Sequence, residues 1–342
     1  MGRREFTVAD GMTRLWHIAT VPRKFGSAML PKADIREPTR MTPIGHGPGI
    51  DGVTAASPAI IVGQQTTGDE RAMRRNGWHL FAAVAIILAV QPARADDADT
   101  CAKASGDVAI AACTRLIASG RYKGRALAII YTNRGYTWRA KGDLDGAIAD
   151  YDQAIRHDPK YTTAYINRGN AWGTKRDVDR AIADFNEAIR LDPKNAIAYR
   201  SRGYTWSTKG DNERAIADLD QAIGLDPKDA LSYLSRCMVR TMAGRNLPQA
   251  LSDCDQALRL RPNDVHTMGT RGLLYLRLGR LDDAIVEYDA ALKLAPKVAT
   301  SLFGRGIAKQ RKGDMAGGDA DMAAAKAINA SIAEEFANYG VK

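Results

Sequence analysis

The chain has 342 residues with 49 Lys and Arg against 39 Asp and Glu, a formal net charge of +10, and that length calls for two compact domains or one long repeat array. Residues 1–95 hold 12 basic and 7 acidic side chains, so only +5 remains on the rest, too little and too mixed with acid for the basic stripe that nucleic acid requires. With 45% hydrophobic and 26% charged residues and a single short apolar run, the composition also excludes a collagen, a coiled coil and a multispan membrane protein.

Residues 1–72 are punctuated by Gly and Pro, as in Pro43-Ile44-Gly45-His46-Gly47-Pro48-Gly49, and keep no period of 2 or 3.6, so they read as disordered or as an extension ahead of the true translation start. Met73 stands directly before Arg74-Arg75, the apolar run Trp78 to Val90 follows, and Ala93-Arg94-Ala95 closes it. A basic flank, a short apolar run and a small-x-small exit predict a secretory signal peptide over 73–95, cut after Ala95. A spanning helix needs about 20 apolar residues, more than this run supplies. The expected destination is the periplasm, with no membrane insertion after cleavage; an extension 1–72 that is really made would mask the signal and leave the protein in the cytoplasm.

From about Ala128 the chain repeats itself. Gly135, Gly169 and Gly203 lie 34 apart, the pattern resumes at Gly272 and Gly306, and Cys237 holds the intervening slot. Pro159, Pro193, Pro227, Pro262 and Pro296 keep the same beat with one step of 35, as do Ala147, Ala181, Ala215, Ala250 and Ala284. The extra residue falls between Cys237 and Ala250, most simply in the turn Ala243 to Pro248, where an insertion costs little. Each first half, such as Tyr131-Thr132-Asn133-Arg134-Gly135-Tyr136-Thr137-Trp138, predicts a helix whose Gly lets a neighbour come close. Each second half carries a small-large-small stripe, Ala147, Tyr151 and Ala154 in the first, suited to tight antiparallel packing. Lys141-Gly142-Asp143 supplies a Gly C-cap and an acidic helix start, and Asp158-Pro159 ends the second helix, because the residue before Pro is pushed out of the α region.

A helix-turn-helix repeat of 34 residues with this pattern resembles the tetratricopeptide repeat (TPR) family. The resemblance covers six units, 128–161, 162–195, 196–229, 230–264, 265–298 and 299–332, and implies an all-α, right-handed solenoid of stacked helix pairs. Residues 98–127 read as a degenerate capping pair, and 333–342 as a C-terminal capping helix or tail, since a solenoid must close its core at both ends. One departure is systematic: the slot that the family usually fills with Leu holds Arg134, Arg168, Arg202, Arg236, Arg271 and Arg305, while the second helices carry Asp150, Asp184, Asp218, Asp253, Glu287 and Asp321. Six pairs in six units predict a ladder of Arg–carboxylate ties, within units or between neighbours.

Four cysteines follow the signal. Cys101 and Cys113 flank the first turn, and Cys237 and Cys254 take a Gly slot and an aromatic slot on the facing helices of one unit. The joint departure suggests two disulfides in an exported protein, with pairs of small buried thiols as the other reading. No Cys-x-x-Cys or clustered His points to a metal, and the two histidines of this region, His157 and His266, have no nucleophile beside them. Phosphate loops and dinucleotide fingerprints are missing as well. No catalytic residue and no cofactor is expected, and Trp138, Trp172 and Trp206 sit at core spacing.

The surface is left to carry the function. By resemblance, the first helices line a concave groove. Its first half should present Tyr136, Arg139, Asn170, Arg200 and Tyr204, suited to a peptide backbone or carboxylate. Its second half should present Leu234, Met238, Leu273, Leu276 and Phe303, suited to hydrophobic side chains. The Lys/Asn carboxylate clamp of the family's chaperone-tail binders is not found here. The expected partner is a protein or extended peptide, not nucleic acid. A scaffold that assembles envelope complexes or self-associates is the alternative. Ile332, Phe336 and Tyr339 could instead cover the apolar half from within, because an exposed patch of that size is a liability.

Overall fold

The structure, a computed structural model, describes residues 97–341; the extension 1–72, the signal segment 73–95 and the last residue lie outside the described part. Among the described residues there are fifteen helices and no strand. Two helices, α1 (Asp97–Lys103) and α2 (Gly106–Ala118), come first. Six hairpins follow: α3 (Gly124–Ala140) with α4 (Leu144–His157), α5 (Thr162–Thr174) with α6 (Val178–Leu191), and α7 (Ala196–Thr208) with α8 (Asn212–Leu225). Then come α9 (Ala230–Ala243) with α10 (Leu247–Leu260), α11 (Val265–Arg277) with α12 (Leu281–Leu294), and α13 (Ala299–Arg311) with α14 (Met315–Ile328). A short α15 (Ile332–Asn338) closes the chain. Each first helix packs on its partner, on the second helix before it, and on the first helix of the next unit. That asymmetry places α3, α5, α7, α9, α11 and α13 along one inner wall and their partners outside it.

The local chemistry of each boundary is visible in the backbone. Gly142 and Gly210 turn the chain with φ of +87° and +86°, a region that costs a side-chain-bearing residue about 1–2 kcal/mol. Asp143, Asp177 and Asp211 then cap the second helices by accepting from the backbone N–H three residues on, which satisfies one of the orphan donors of a helix start. The extra residue of the fourth unit is absorbed at the end of α9, and the following turn uses two left-handed residues, Gly244 and Asn246, in place of one. At the other end, α3 starts at Gly124, four residues before the boundary read from the repeat.

The repeated Gly is where the two helices of a hairpin meet. A Cβ on Gly135 would lie 2.8 Å from Tyr151 Cε1, one on Gly169 2.8 Å from Phe185, and one on Gly272 2.8 Å from Tyr288. In the third unit Leu219 replaces the ring, and a Cβ on Gly203 would come 2.9 Å from the Ala215 carbonyl oxygen. The fourth unit solves the same contact differently: Cys237 and Cys254 occupy both slots and are joined by a disulfide, as Cys101 and Cys113 join α1 to α2.

Above this contact runs the arginine ladder, and it ties both within units and between them. Arg168 donates from Nε and Nη2 to the two carboxylate oxygens of Asp184, at 2.9 and 2.6 Å, and from Nη1 to Asp152 of the preceding unit at 2.6 Å. Arg134, Arg202, Arg236, Arg271 and Arg305 repeat the in-unit tie to Asp150, Asp218, Asp253, Glu287 and Asp321. Their Nη1 atoms reach Thr114, Asn186, Asp220, Asp255 and Asp289 of the unit before. Burial alone would push the Asp321 carboxyl up, but Arg305 and Lys309 hold it below its ordinary value.

Because the Gly203 contact is with backbone, Gly203→Ala should destabilise the chain by about 1–3 kcal/mol through overpacking. Gly224→Ala, on the open face of α8 where nothing lies within 4 Å, should stabilise it by roughly 0.5–1 kcal/mol. Thermal melts of the two variants check both signs. The Cys237–Cys254 link closes a separation of 17 residues, worth about 3 kcal/mol in the chain-entropy account. Melting in reductant should therefore fall, and the double variant Cys237→Gly with Cys254→Tyr, which restores the contact of the other units, should not respond to reductant through this pair.

Candidate partner-binding groove

The inner wall is built from three residues per unit, one helical turn apart. From the first unit to the sixth, one column runs Thr132, Ile166, Arg200, Leu234, Gly269, Phe303; the next runs Tyr136, Asn170, Tyr204, Met238, Leu273, Ile307. A third runs Arg139, Gly173, Ser207, Thr241, Leu276, Gln310. Tight superhelical stacking draws these side chains in: Arg139, Asn170, Arg200, Tyr204, Leu234, Met238, Leu273, Leu276 and Phe303 are all buried, and Tyr136 is half-buried.

In the first half, the Arg139 guanidinium lies 5.5 Å from the centre of the Tyr136 ring, a cation–π arrangement. Its Nε is buried without a hydrogen-bond partner, and so is Asn170 Oδ1, on a residue only 4% exposed. Arg200 differs from expectation. It is paired to Asp229, the cap of α9, whose carboxylate also accepts from the Ser232 hydroxyl at 2.6 Å. That guanidinium links two units and is spoken for by protein.

The second half does not stand open: of the two arrangements expected for it, the structure has the one covered by the chain's own C-terminal segment. Leu273, Leu276, Phe303 and Ile307 form one cluster with Ile332, Phe336, Tyr339 and Val341. The Phe303 and Phe336 rings are 5.0 Å apart and tilted by 57°. Tyr339 reaches back to the third unit, where burial and then the Tyr339 hydroxyl raise the Tyr204 phenol above its ordinary range. The physical reason is burial of apolar area: an uncovered wall of this composition would cost about 25 cal/mol for each Å2 left in water. A cavity of about 60 Å3 remains between α9, α11, α13 and α15, lined among others by Met238, Met242, His266, Leu273, Phe336 and Tyr339.

Sequence reasoning missed Arg277 and the second acceptor column. Arg277 donates to the carbonyl oxygens of Thr241 and Met242 and lies against Gly340, and nothing in the repeat pattern marks it. The second acceptor column, Asp152, Asn186, Asp220, Asp255 and Asp289, was readable two residues after each ladder acid. Trp138, Trp172 and Trp206 are half-buried at the turn edge, where Lys141, Lys175 and Lys209 lie 5.8, 5.9 and 5.8 Å from their rings. The same lysines pair with Asp107, Asp145 and Asp179. At that edge an open cleft of about 610 Å3 faces Trp206, Lys209, Arg214 and Arg245; Lys209 and Arg214 are already matched by Asp179 and Asp211, so the cleft carries no unmatched demand for a ligand. Among the described residues no group of three His, Cys, Asp or Glu is placed to hold a metal ion.

Profiles described as tetratricopeptide repeat and TPR repeat match residues 132–196 and 168–230, and residues 272–313. Over these stretches the chain carries tetratricopeptide repeats. Among solved structures, this TPR chain resembles a tetratricopeptide repeat protein from Parabacteroides merdae, at 19% identity and a TM-score of 0.55 over 68% of this chain and 91% of that one. It also resembles PilF of Pseudomonas aeruginosa, at 18% identity and a TM-score of 0.53 over 61% and 96%. The Cut9–Hcn1 hetero-tetramer of the APC/C gives 17% identity and a TM-score of 0.60 over 79% of this chain and 53% of that chain. At these identities the likeness is one of fold. None of the curated proteins compared matches the sequence. TPR folds generally bind protein or peptide partners.

His266, on the cavity wall, gives the groove a pH response. Burial holds its imidazole below the ordinary range, Asp264 acts in the opposite sense, and Arg261 adds to the lowering. The neutral form is thus favoured by folding, so its contribution is complete above the ordinary value of about 6.5 and is lost as pH falls through the lowered one. Melting temperature should drop between about pH 7 and pH 5, and His266→Asn should flatten that drop.

Proposed function

We propose that this TPR protein is exported and binds an extended segment of a partner protein along the first half of its inner wall, without catalysis of its own. The observation that carries the reading is the pair of orphaned polar atoms there, Arg139 Nε and Asn170 Oδ1, a donor and an acceptor with no protein partner. An unmet buried polar atom costs roughly 1–3 kcal/mol, a cost recovered when a small side-chain shift lets a ligand's peptide group supply the missing bond. Tyr136 of the first unit and Tyr204 of the third stand in the same wall column on either side of Asn170.

Export rests on the signal-like segment 73–95 and is supported by the two disulfides, which persist in oxidising compartments such as the periplasm. No helix among the described residues is long and apolar enough to cross a membrane.

The immobilised protein should retain a partner from a periplasmic extract, and Arg139→Ala combined with Asn170→Leu should weaken that retention by about 1–3 kcal/mol. Asn170→Leu alone should leave the melting temperature unchanged or higher, because it removes an unsatisfied atom. Retention undiminished in the double variant, or a native N-terminus other than Asp96, would remove the groove or the export part of the reading respectively.

A further inference from the structure

The segment after the sixth unit folds back along the inner wall. Beyond α14 the chain reverses at Asn329, and Ile332, Phe336 and Tyr339, spaced four and three residues apart, point into the wall of units four to six. All three are buried, Ile332 fully. This is the anchor pattern of an amphipathic helix laid in a groove. The seat is an imperfect fit for its occupant: a partly open cavity of about 60 Å3 lies directly against Phe336 and Tyr339. α15 is short, with seven residues and no side-chain cap from Ser331, and besides its apolar anchors it is held by the Asn329 amide donating to Glu335 at 2.8 Å.

We infer that the inner wall of units four to six is a receptor for an amphipathic helix of a partner protein, with an apolar residue followed by two aromatics at the spacing of Ile332, Phe336 and Tyr339, and that α15 is the chain's own competitor for that seat. The inference rests on the groove reading above and gives its second half a ligand class. The unfilled cavity favours an outside helix over a second copy, since the α15 of another copy would leave the same space empty. A larger apolar side chain at the last anchor would fill it and gain the contacts that a void forfeits. Tethered α15 acts at an effective concentration in the millimolar range, so the seat is masked until a better-fitting helix displaces it.

The test uses the full chain and two labelled peptides: residues 329–341, and the same peptide with Tyr339→Trp. Peptide 329–341 should bind the full chain carrying Phe336→Ala and Tyr339→Ala at least about tenfold more tightly than the unaltered chain, because the tethered competitor is gone. The Trp peptide should bind more tightly than the native one, and excess Trp peptide should speed amide exchange over residues 332–339 of the unaltered chain. Equal weak binding to both chains, with the variant's melting intact, overturns the proposal. If the variant does not fold, unchanged exchange in the unaltered chain overturns it. Native peptide binding with no gain from Trp, together with dimers of the unaltered chain, overturns the outside partner in favour of exchange between copies. Arg139→Ala should leave peptide binding unchanged, so failure here is separable from failure of the polar half.

Discussion

The two helices of each unit approach as closely as they do because one position in the first helix has no side chain. With a hydrogen at Gly135, Gly169 or Gly272, an aromatic ring from the second helix lies directly on backbone; a methyl group there would need space that the ring and the neighbouring carbonyl occupy. That approach fixes the relative height of the helices, and the residue before each Gly is thereby aimed at the second helix. Arg134 and its five equivalents stand at that point, within reach of a carboxylate that a wider hairpin would leave out of range. The fourth unit shows that the spacing, not the Gly, is what the stack requires: two cysteines fill the same volume and a covalent bond replaces the ring contact.

The ladder built on this spacing does two jobs with one side chain. In five units Nε and Nη2 form a fork on the in-unit acid, a geometry that gives specificity as well as energy, while Arg271 holds Glu287 through Nη2 alone; in all six Nη1 reaches the preceding unit. Isolated exposed pairs contribute about 0–1 kcal/mol. Here the in-unit acids Asp150, Asp184, Asp218, Asp253 and Asp321 are buried, so loss of one partner strands a charge, which is the costly case. A solenoid lacks contacts between distant units, and its stability is a sum of units and nearest-neighbour interfaces. Guanidinium groups that span each interface couple the units while leaving the apolar surfaces to set the curvature.

The inner wall inherits its two characters from that curvature. Its first half keeps polar groups with unmet bonds; its second half keeps an apolar floor under α15. The two differ in what a ligand must overcome. In the first, binding supplies missing hydrogen bonds. In the second it must displace aromatic side chains that already gain from burial, so selectivity there comes from shape and volume.

Residue periodicity carried most of the fold. A Gly every 34 residues, the acid after each turn and the Pro after each second helix are local requirements, and local requirements leave their mark on single positions. The ladder's in-unit half was equally legible, since six Arg and six acids recur in phase. Its inter-unit half left only the recurrence of Asp152, Asn186, Asp220, Asp255 and Asp289 two residues after each ladder acid, and these become acceptors only once the stacking angle brings them to Nη1. The groove residues were placed on the right helices, yet their exposure depends on how far the superhelix closes and on where the last segment goes. Arg200 looked like a free cation until Asp229, the cap of the next unit's first helix, came within reach. α15 was written as Ile332, Phe336 and Tyr339, a helical stripe with no partner named; its seat comprises residues from the fourth, fifth and sixth units, and only their assembly in space, under the drive to cover apolar area, selected it.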